Sequence, residues 1–231
     1  MSPRRRTLRR PDARPRASTA ERRLREELVE IGRRLHARDL VGAAEGNLSA
    51  RLGDDRFLVT ASGVSKGHLS ETDLVVVDGR GERRSGSGRP STETRMHLAA
   101  YAARPDVGAV VHAHPITAVA LTVAGLPPPS DLVPEAAVTL GPLAVAPFAT
   151  PGTDEVAASL APLLAGHDVI LLERHGAVAL GRTLAEAFER METLERVARV
   201  ALAARLLGRC EPLSADAVAR VLAAAGRPPR R

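Results

Sequence analysis

Short apolar runs of β type alternate with segments of helical spacing along most of this chain, and this alternation constrains the fold more than any other feature. The β-type runs are FLVT at 57–60, LVVVD at 74–78, VGAVVHAH at 107–114, LAVAPF at 143–148 and VILLE at 169–173. Strands and helices do not follow a strict βαβ rhythm, and no internal repeat stands out. We therefore predict a single α/β domain in which helices cover a mostly antiparallel or mixed central sheet.

Helices are predicted from capping patterns and apolar spacing. Ser18 and Glu21 form a capping-box pattern, and helical spacing continues from there to about Arg38. The longest helical pattern carries an apolar stripe from Leu184 to Leu207. A helix capped by Ser91 or Thr92 is expected to run to about residue 103, and others are expected at 116–125, 153–165 and 214–225. Gly-rich or Pro-rich loops are predicted at 62–73, which includes a helical turn, and at 79–90 and 126–134.

The positive charge of the chain lies at its two ends. Of the net +6, residues 1–17 contribute seven Arg and one Asp, and residues 227–231 contribute three Arg, so the rest of the chain carries −3. The leader has no apolar segment after its arginines and is not a secretory signal. We interpret 1–17 as a disordered Arg-rich tail and 227–231 as an Arg/Pro-rich tail, flanking one domain over 18–226.

Composition also limits the partners and the compartment. Nucleic-acid binding would depend on the tails alone, and an aromatic content of 2% argues against base-stacking surfaces. No apolar run approaches the roughly 18–20 residues needed to span a bilayer, so no membrane partner is expected. The single cysteine, Cys210, excludes an intramolecular disulfide and suits a reducing cytoplasm, where we place the protein.

Lys66 is the only lysine of the chain. Enzymes that activate a carbonyl as a Schiff base need a desolvated lysine. Lys66 lies in the Gly-rich stretch SGVSKG, which is a poor place for desolvation. If the protein acts on carbonyl compounds, a metal ion is therefore the expected electrophile.

His112 and His114 lie one residue apart in a predicted strand, so their side chains point to the same face. Two such imidazoles can share a tetrahedral metal ion, although an exposed strand end would also explain them. His175, in the turn RHGAVALG after a buried strand, is the candidate third ligand, because catalytic zinc typically takes three protein ligands. His36 and His68 lie in polar contexts and are predicted to be surface residues.

Glu93 lies beside Ser91 and Thr92 in the first turn of a predicted helix. Ordinary capping and dipole preferences explain all three residues. A helix N-terminus with two hydroxyl groups is also a natural anion site, and the loops SGVSKG and EGNLS offer similar donors. His97, one turn after Glu93, is either a partner of this site or part of the helix surface, and we favour the surface.

Taken in order, the motifs GNLS, TASG, PSTE, HAHP and RHG resemble the class II aldolase/adducin family, and within it the L-fuculose-phosphate aldolase-like branch. The resemblance extends from about residue 22 to residue 208 and omits both tails. It implies a three-layer α/β/α domain with a largely antiparallel central sheet. It also implies a homotetramer with active sites at subunit interfaces.

The resemblance further implies roles for individual residues. The family's zinc histidines correspond to His112, His114 and His175, and Glu93 corresponds to the carboxylate that binds the metal at rest and acts as base. The family's phosphate-binding groups correspond to Asn47, Ser62, Gly63, Ser91 and Thr92. The implied reaction is zinc-dependent cleavage of a ketose 1-phosphate to dihydroxyacetone phosphate and an aldehyde.

The sequence departs from the family at the acid that protonates the departing aldehyde, which is a tyrosine in the aldolases. The one tyrosine, Tyr101, lies inside the helix that follows Glu93, and Asp131 or Glu135 is an alternative acid. Pentulose-phosphate 4-epimerases carry Asp where Glu93 stands, and a methylthioribulose-phosphate dehydratase uses the same metal ligands. A substrate without phosphate is a further alternative. Adducin-like binding modules keep the fold but lack the zinc histidines.

Overall fold

A computed structural model describes residues 18–227, so the predictions for residues 1–17 and for the last four residues lie outside the described range. The strands are β1 Asn47–Gly53, β2 Arg56–Thr60, β3 Leu74–Val77, β4 Arg83–Ser85, β5 Ala109–Ala113, β6 Leu143–Ala146, β7 Val169–Leu172 and β8 Gly176–Gly181. The helices are α1 Thr19–Ala37, α2 Thr94–Ala103, α3 Ile116–Val123, α4 Pro134–Thr139, α5 Asp154–Leu160, α6 Leu184–Leu206 and α7 Ala215–Ala224. Single turns of 3-10 helix lie at Lys66–His68 and Glu71–Asp73.

The strands of the described range form one eight-stranded sheet in the order β4-β3-β2-β1-β5-β8-β7-β6. Neighbouring strands are antiparallel except for β6 and β7, which are parallel. One apolar cluster packs the sheet against α1, α3, α4 and α6, and a second packs its other face against α2 and α5. The predicted three-layer α/β/α domain with a largely antiparallel sheet is confirmed.

Strand β5 lies in the middle of the sheet, and all five of its residues are buried. Val111 belongs to the cluster under α6, whereas Val110 belongs to the cluster under α2. Because side chains alternate along a strand, His112 shares the face of Val110 and lies on the α2 side of the sheet. The site therefore forms where β5 ends beneath the N-terminus of α2.

The two long helices follow their sequence patterns. The Ser18 hydroxyl accepts a hydrogen bond from the backbone N–H of Glu21 at 3.1 Å, as the capping pattern predicts. The apolar stripe of α6 is buried from Leu184 to Ala201, but Leu206 and Leu207 at its end are 80% and 87% exposed. Within residues 18–227, no helix combines the length and the apolar character needed to cross a membrane.

The clearest correction concerns GAVALG, which was predicted as part of a turn and is strand β8. Its six residues are all buried because β8 pairs with β5 on one side and β7 on the other. Small residues such as Ala and Gly have weak strand preference, so only this two-sided pairing reveals the strand.

Smaller corrections concern element ends and short elements. Helix α2 begins with Glu93 as its N-cap, rather than with Ser91 or Thr92. The predicted loop 79–90 contains the short exposed strand β4, and the Pro-rich loop leads into α4, which has Pro134 at its first position. Helix α5 ends at Leu160 and not near residue 165.

Candidate metal centre and cleft

Three imidazoles meet where β5 ends and where β7 turns into β8. His112 is the penultimate residue of β5, His114 follows the strand, and His175 lies in the turn. Their ring nitrogens lie within 4.8 Å of one another, and their ring centroids are 4.9–5.0 Å apart. The structure therefore brings together the three histidines that the sequence singled out, while His36 and His68 are exposed as predicted.

The space for these rings is provided by Gly176, the residue after His175. A Cβ atom at this position would lie 2.5 Å from the carbonyl oxygen of Ala113, 2.8 Å from His114 Cδ2 and 3.1 Å from His112 Cε1. The preceding turn places Arg174 in the left-handed region, at φ 59°. Because any larger residue would push the imidazoles apart, the glycine is part of the construction of the site.

Hydrogen bonding fixes which nitrogen of His112 faces the other rings. Its Nδ1 lies 3.0 Å from the carbonyl oxygen of Ala177, an acceptor, so a neutral ring carries its proton on Nδ1 and leaves Nε2 as a free lone pair. That Nε2 lies 3.1 Å from Nε2 of His114. Two lone pairs at this distance repel unless a proton or a cation lies between them.

Glu93 completes the cluster from the N-terminus of α2. Its Oε2 lies 3.2 Å from Nε2 of His112, and its Oε1 lies 3.4 Å from Nε2 of His175. The amide of Asn47 donates a hydrogen bond to Oε2 at 2.8 Å, whereas Oε1 is buried without a hydrogen-bond partner. Three imidazole nitrogens and a carboxylate oxygen that lacks a partner are a donor set that fits a zinc ion.

Protonation favours the ligand forms of these groups. Burial opposes ionisation of Glu93, but the hydrogen bond and charge of His112 and the amide of Asn47 outweigh it, so the pKa of Glu93 lies below its usual value. Burial, reinforced by the charge of the neighbouring rings, lowers the pKa of His114 to about 3 and also lowers the pKa of His175. Metal ligands must be deprotonated, and these shifts favour that form for Glu93, His114 and His175.

A cleft of about 270 Å³ opens beside the imidazoles. It is lined by Glu93, His114 and His175 on one side. All five residues predicted to bind phosphate also line it, namely Asn47, Ser62, Gly63, Ser91 and Thr92. The candidate metal centre and the candidate anion site are therefore two parts of one cavity. Asp131 and Glu135 are not among the described residues that line it.

His97 is a buried residue, and its assignment to the helix surface is wrong. Only 2% of it is exposed, and its Nδ1 lies 2.7 Å from the hydroxyl of Ser49, which in turn lies 2.8 Å from the hydroxyl of Tyr101. Burial lowers the pKa of His97 to about 3 and raises the pKa of Tyr101. Tyr101 is committed to this buried network and does not line the cleft.

Lys66 is also buried, contrary to the prediction from its Gly-rich surroundings. It is 1% exposed, and its Nζ donates hydrogen bonds to the carbonyl oxygens of Val64 and Ala44 at 2.6 and 3.1 Å. Helix α1 covers this loop closely, since a Cβ on Gly32 would lie 3.2 Å from the carbonyl oxygen of Lys66. Sequence alone missed the lysine because a helix distant along the chain buries it.

Residues 26–202 match the family described as the class II aldolase and adducin N-terminal domain. A 5-methylthioribulose-1-phosphate/5-deoxyribulose-1-phosphate aldolase of Rhodospirillum rubrum is 35% identical over 86% of this chain and 89% of its own length. A 3-oxo-tetronate 4-phosphate decarboxylase of Haemophilus influenzae is 34% identical over 76% of this chain and 85% of its own length. These similar enzymes thus carry out two different reactions.

The fold is also similar to those of solved structures. The crystal structure of L-fuculose-1-phosphate aldolase from Thermus thermophilus superposes with a TM-score of 0.73 at 36% identity. The superposition covers 84% of this chain and all of the other.

Proposed function

Because this chain belongs to the class II aldolase and adducin family, whose similar members are enzymes, we propose that it is a zinc-dependent aldolase. In this proposal it cleaves a ketose 1-phosphate to dihydroxyacetone phosphate and an aldehyde. The zinc ligands are His112, His114 and His175, with Glu93 as the ligand that substrate displaces. A bound zinc ion would act as the Lewis acid that polarises the substrate carbonyl.

One observation carries the proposal: the carboxylate of Glu93 lies between the imidazole cluster and the row of hydroxyl and amide donors in the same cleft. It contacts two imidazole nitrogens at 3.2 and 3.4 Å and the amide of Asn47 at 2.8 Å. A base in this position reaches a substrate carbon whose oxygen faces the imidazoles and whose anionic group faces the loops.

The residues of the chain then have distinct tasks. Glu93 removes or returns the proton at the carbon next to the carbonyl, from its position beside the imidazole cluster. Asn47 orients that carboxylate through one amide N–H, and its other amide hydrogen is offered to the phosphate of the substrate. Ser62, Gly63, Ser91 and Thr92 offer hydroxyl and backbone N–H donors for the phosphate of the substrate.

The proposal is tested by release of dihydroxyacetone phosphate from a panel of ketose 1-phosphates that includes 5-deoxyribulose 1-phosphate and L-fuculose 1-phosphate. We expect cleavage of at least one of them by the wild-type protein. The variant Glu93→Gln should retain zinc and lose exchange of the dihydroxyacetone phosphate proton with deuterated solvent by about a hundredfold or more.

A matched control is Glu30→Gln, which removes an exposed carboxylate on α1 outside the cleft and should retain both cleavage and exchange. Full exchange by Glu93→Gln would remove Glu93 as the base. Release of carbon dioxide from 3-oxo-tetronate 4-phosphate, or loss of water from a ketose phosphate without carbon–carbon cleavage, would replace the aldolase by another reaction of the same cavity.

We further propose that the protein is a cytoplasmic homotetramer with its sites at subunit interfaces. Exposed apolar side chains such as Ile116 and Phe148, at 65% and 59%, support burial in an assembly. Light scattering coupled to gel filtration tests the assembly, and a monomer at micromolar concentration would contradict it.

A further inference from the structure

Lys66 is a buried cation without an ionic partner. Its side chain is 1% exposed, and its Nζ donates hydrogen bonds to two neutral backbone carbonyls. Within residues 18–227, no carboxylate lies within ion-pair distance of this Nζ. Burying a charge that is not paired is costly, and proteins rarely do so without a reason.

The position of Lys66 relative to the cleft suggests that reason. Lys66 lines the cleft together with Asn47, Ser62 and Glu93. It is the only lysine of the chain, and no arginine lines this cavity in the described residues. Among the described residues that line the cleft, the ammonium group is thus the only Lys or Arg cation available to a ligand.

The two carbonyls orient the ammonium group. Ala44 lies in the loop that leads into β1, whose first residue is Asn47, and Val64 follows β2 in the loop that carries Ser62 and Gly63. An ammonium has three N–H donors, and these two contacts use two of them. Within residues 18–227, the third donor makes no hydrogen bond.

We propose that Lys66 is a specificity-determining residue that pairs with the anionic group of the substrate and so restricts the cleft to ligands that carry one. The inference deepens the proposed function and rests on it, because the anion it names is the substrate phosphate. Lys66 adds a positive charge to the neutral hydroxyl, amide and backbone donors of the cleft. The cleft should therefore bind a phosphorylated sugar more tightly than its dephosphorylated counterpart.

The charged groups around Lys66 determine how its pKa, and with it the anion affinity, should depend on pH. Burial lowers its pKa to about 8, and the charge of Glu93 opposes this shift. His114 and Glu45 line the same cleft, and the ring of His36 packs beside Gly67 from α1. A bound dianion would add a second opposing charge and raise the pKa of Lys66 further. By linkage, anion affinity must then fall as pH rises through that pKa.

The single lysine makes a direct measurement possible. Protein labelled with [13Cε]-lysine and loaded with zinc gives one side-chain resonance, which can be titrated without and with inorganic sulfate, a dianion across this range. We expect a midpoint near pH 8 without sulfate. Saturating sulfate should move the midpoint upward by about one pH unit, which corresponds to an affinity about tenfold weaker at high pH.

Calorimetric titration with sulfate tests the same inference through variants. Lys66→Met should bind sulfate about tenfold more weakly and without pH dependence between pH 7 and 9, whereas Lys66→Arg should regain most of the affinity. The control Arg33→Met removes the same formal charge from the exposed face of α1 and should match wild type.

Several outcomes overturn the inference. A midpoint that sulfate does not move, or an absence of sulfate binding, excludes Lys66 as the anion partner, and neither requires a variant to fold. If Lys66 only holds the two loops together, Lys66→Met would still bind sulfate more weakly, but the sulfate affinity of the wild type would not depend on pH. These measurements involve no turnover, so failure of the aldolase assay would remove the proposed reaction and leave this result unaffected.

Discussion

Substitution of Glu195 should destabilise α3, the helix that follows strand β5 and its histidines. Glu195 lies on α6, is 4% exposed, and its carboxylate accepts hydrogen bonds from the first turn of α3. The donors are the backbone N–H and hydroxyl of Thr117, at 3.0 and 2.7 Å, and the backbone N–H of Ala118, at 3.1 Å. Helix α3 begins two residues after His114, so this contact anchors one side of the candidate metal centre.

The magnitude follows from the groups left without an acceptor. In Glu195→Ala, two backbone N–H groups at a buried helix N-terminus lose their acceptor, each at a cost of about 1–3 kcal/mol, and we expect a total of about 3 kcal/mol. For a domain of this size, 1 kcal/mol corresponds to roughly 2–4 °C, so the midpoint of thermal unfolding should fall by about 6–12 °C.

Urea unfolding and thermal unfolding of the zinc-loaded protein measure this change. Glu189→Ala, an exposed carboxylate on the same helix, is the matched control and should lie within about 0.5 kcal/mol of wild type. Thr117→Val removes only the hydroxyl donor and should cost about 1 kcal/mol. A Glu195→Ala protein as stable as the Glu189→Ala control would refute the anchoring role.

Two further predictions concern the packing and protonation around the imidazoles. Gly176→Ala places a methyl group 2.8 Å from a ring carbon of His114, so zinc affinity measured by competition with a chelator should fall about tenfold or more. Gly166→Ala, where a Cβ meets nothing within 4 Å, should leave that affinity unchanged, and equal affinities in the two variants would contradict the packing argument. Burial lowers the pKa of His97 to about 3, so the stability from its neutral ring is present above the unfolded value of about 6.5 and is lost as pH falls toward 3. Between pH 5 and 6, the free energy of unfolding of wild type should therefore rise with pH more steeply than that of His97→Leu. The two slopes should differ by about 1.4 kcal/mol per pH unit, and equal slopes would contradict the lowered pKa of His97.

The clustering of His112, His114 and His175 was predictable from the sequence because it depends on local geometry. Strand alternation alone puts His112 and His114 on one face, and the tight turn after VILLE brings the ring of His175 against them. The contact between Glu93 and these rings was expected only from the family resemblance. It depends on α2 and β5 meeting at one end of the sheet, which no local pattern encodes.

Burial of polar residues by distant segments was not predictable in the same way. Lys66 lies in a loop whose composition indicates exposure, yet packing of α1 around Gly32 covers it. His97 lies on a buried face of α2, and its hydrogen-bond partner Ser49 comes from strand β1. The sequence around His97 does not indicate this partner. In both cases the environment of the side chain comes from residues more than twenty positions away.

Strand β8 likewise could not be predicted from its own residues. Its Gly/Ala-rich sequence carries no β signal of its own, and pairing with β5 and β7 makes it a central strand. The apolar strands with branched residues, such as β3 and β7, were found because their signal lies in their own residues.

The metal content of purified protein tests the central claim most directly. Mass spectrometric metal analysis should find about one zinc per chain in the wild type and in the control His167→Ala, whose ring nitrogen Nδ1 lies against the carbonyl oxygen of Leu163, away from the cleft. His114→Ala should retain almost none. Equal zinc content in His114→Ala and wild type would contradict the assignment of these imidazoles as the metal site.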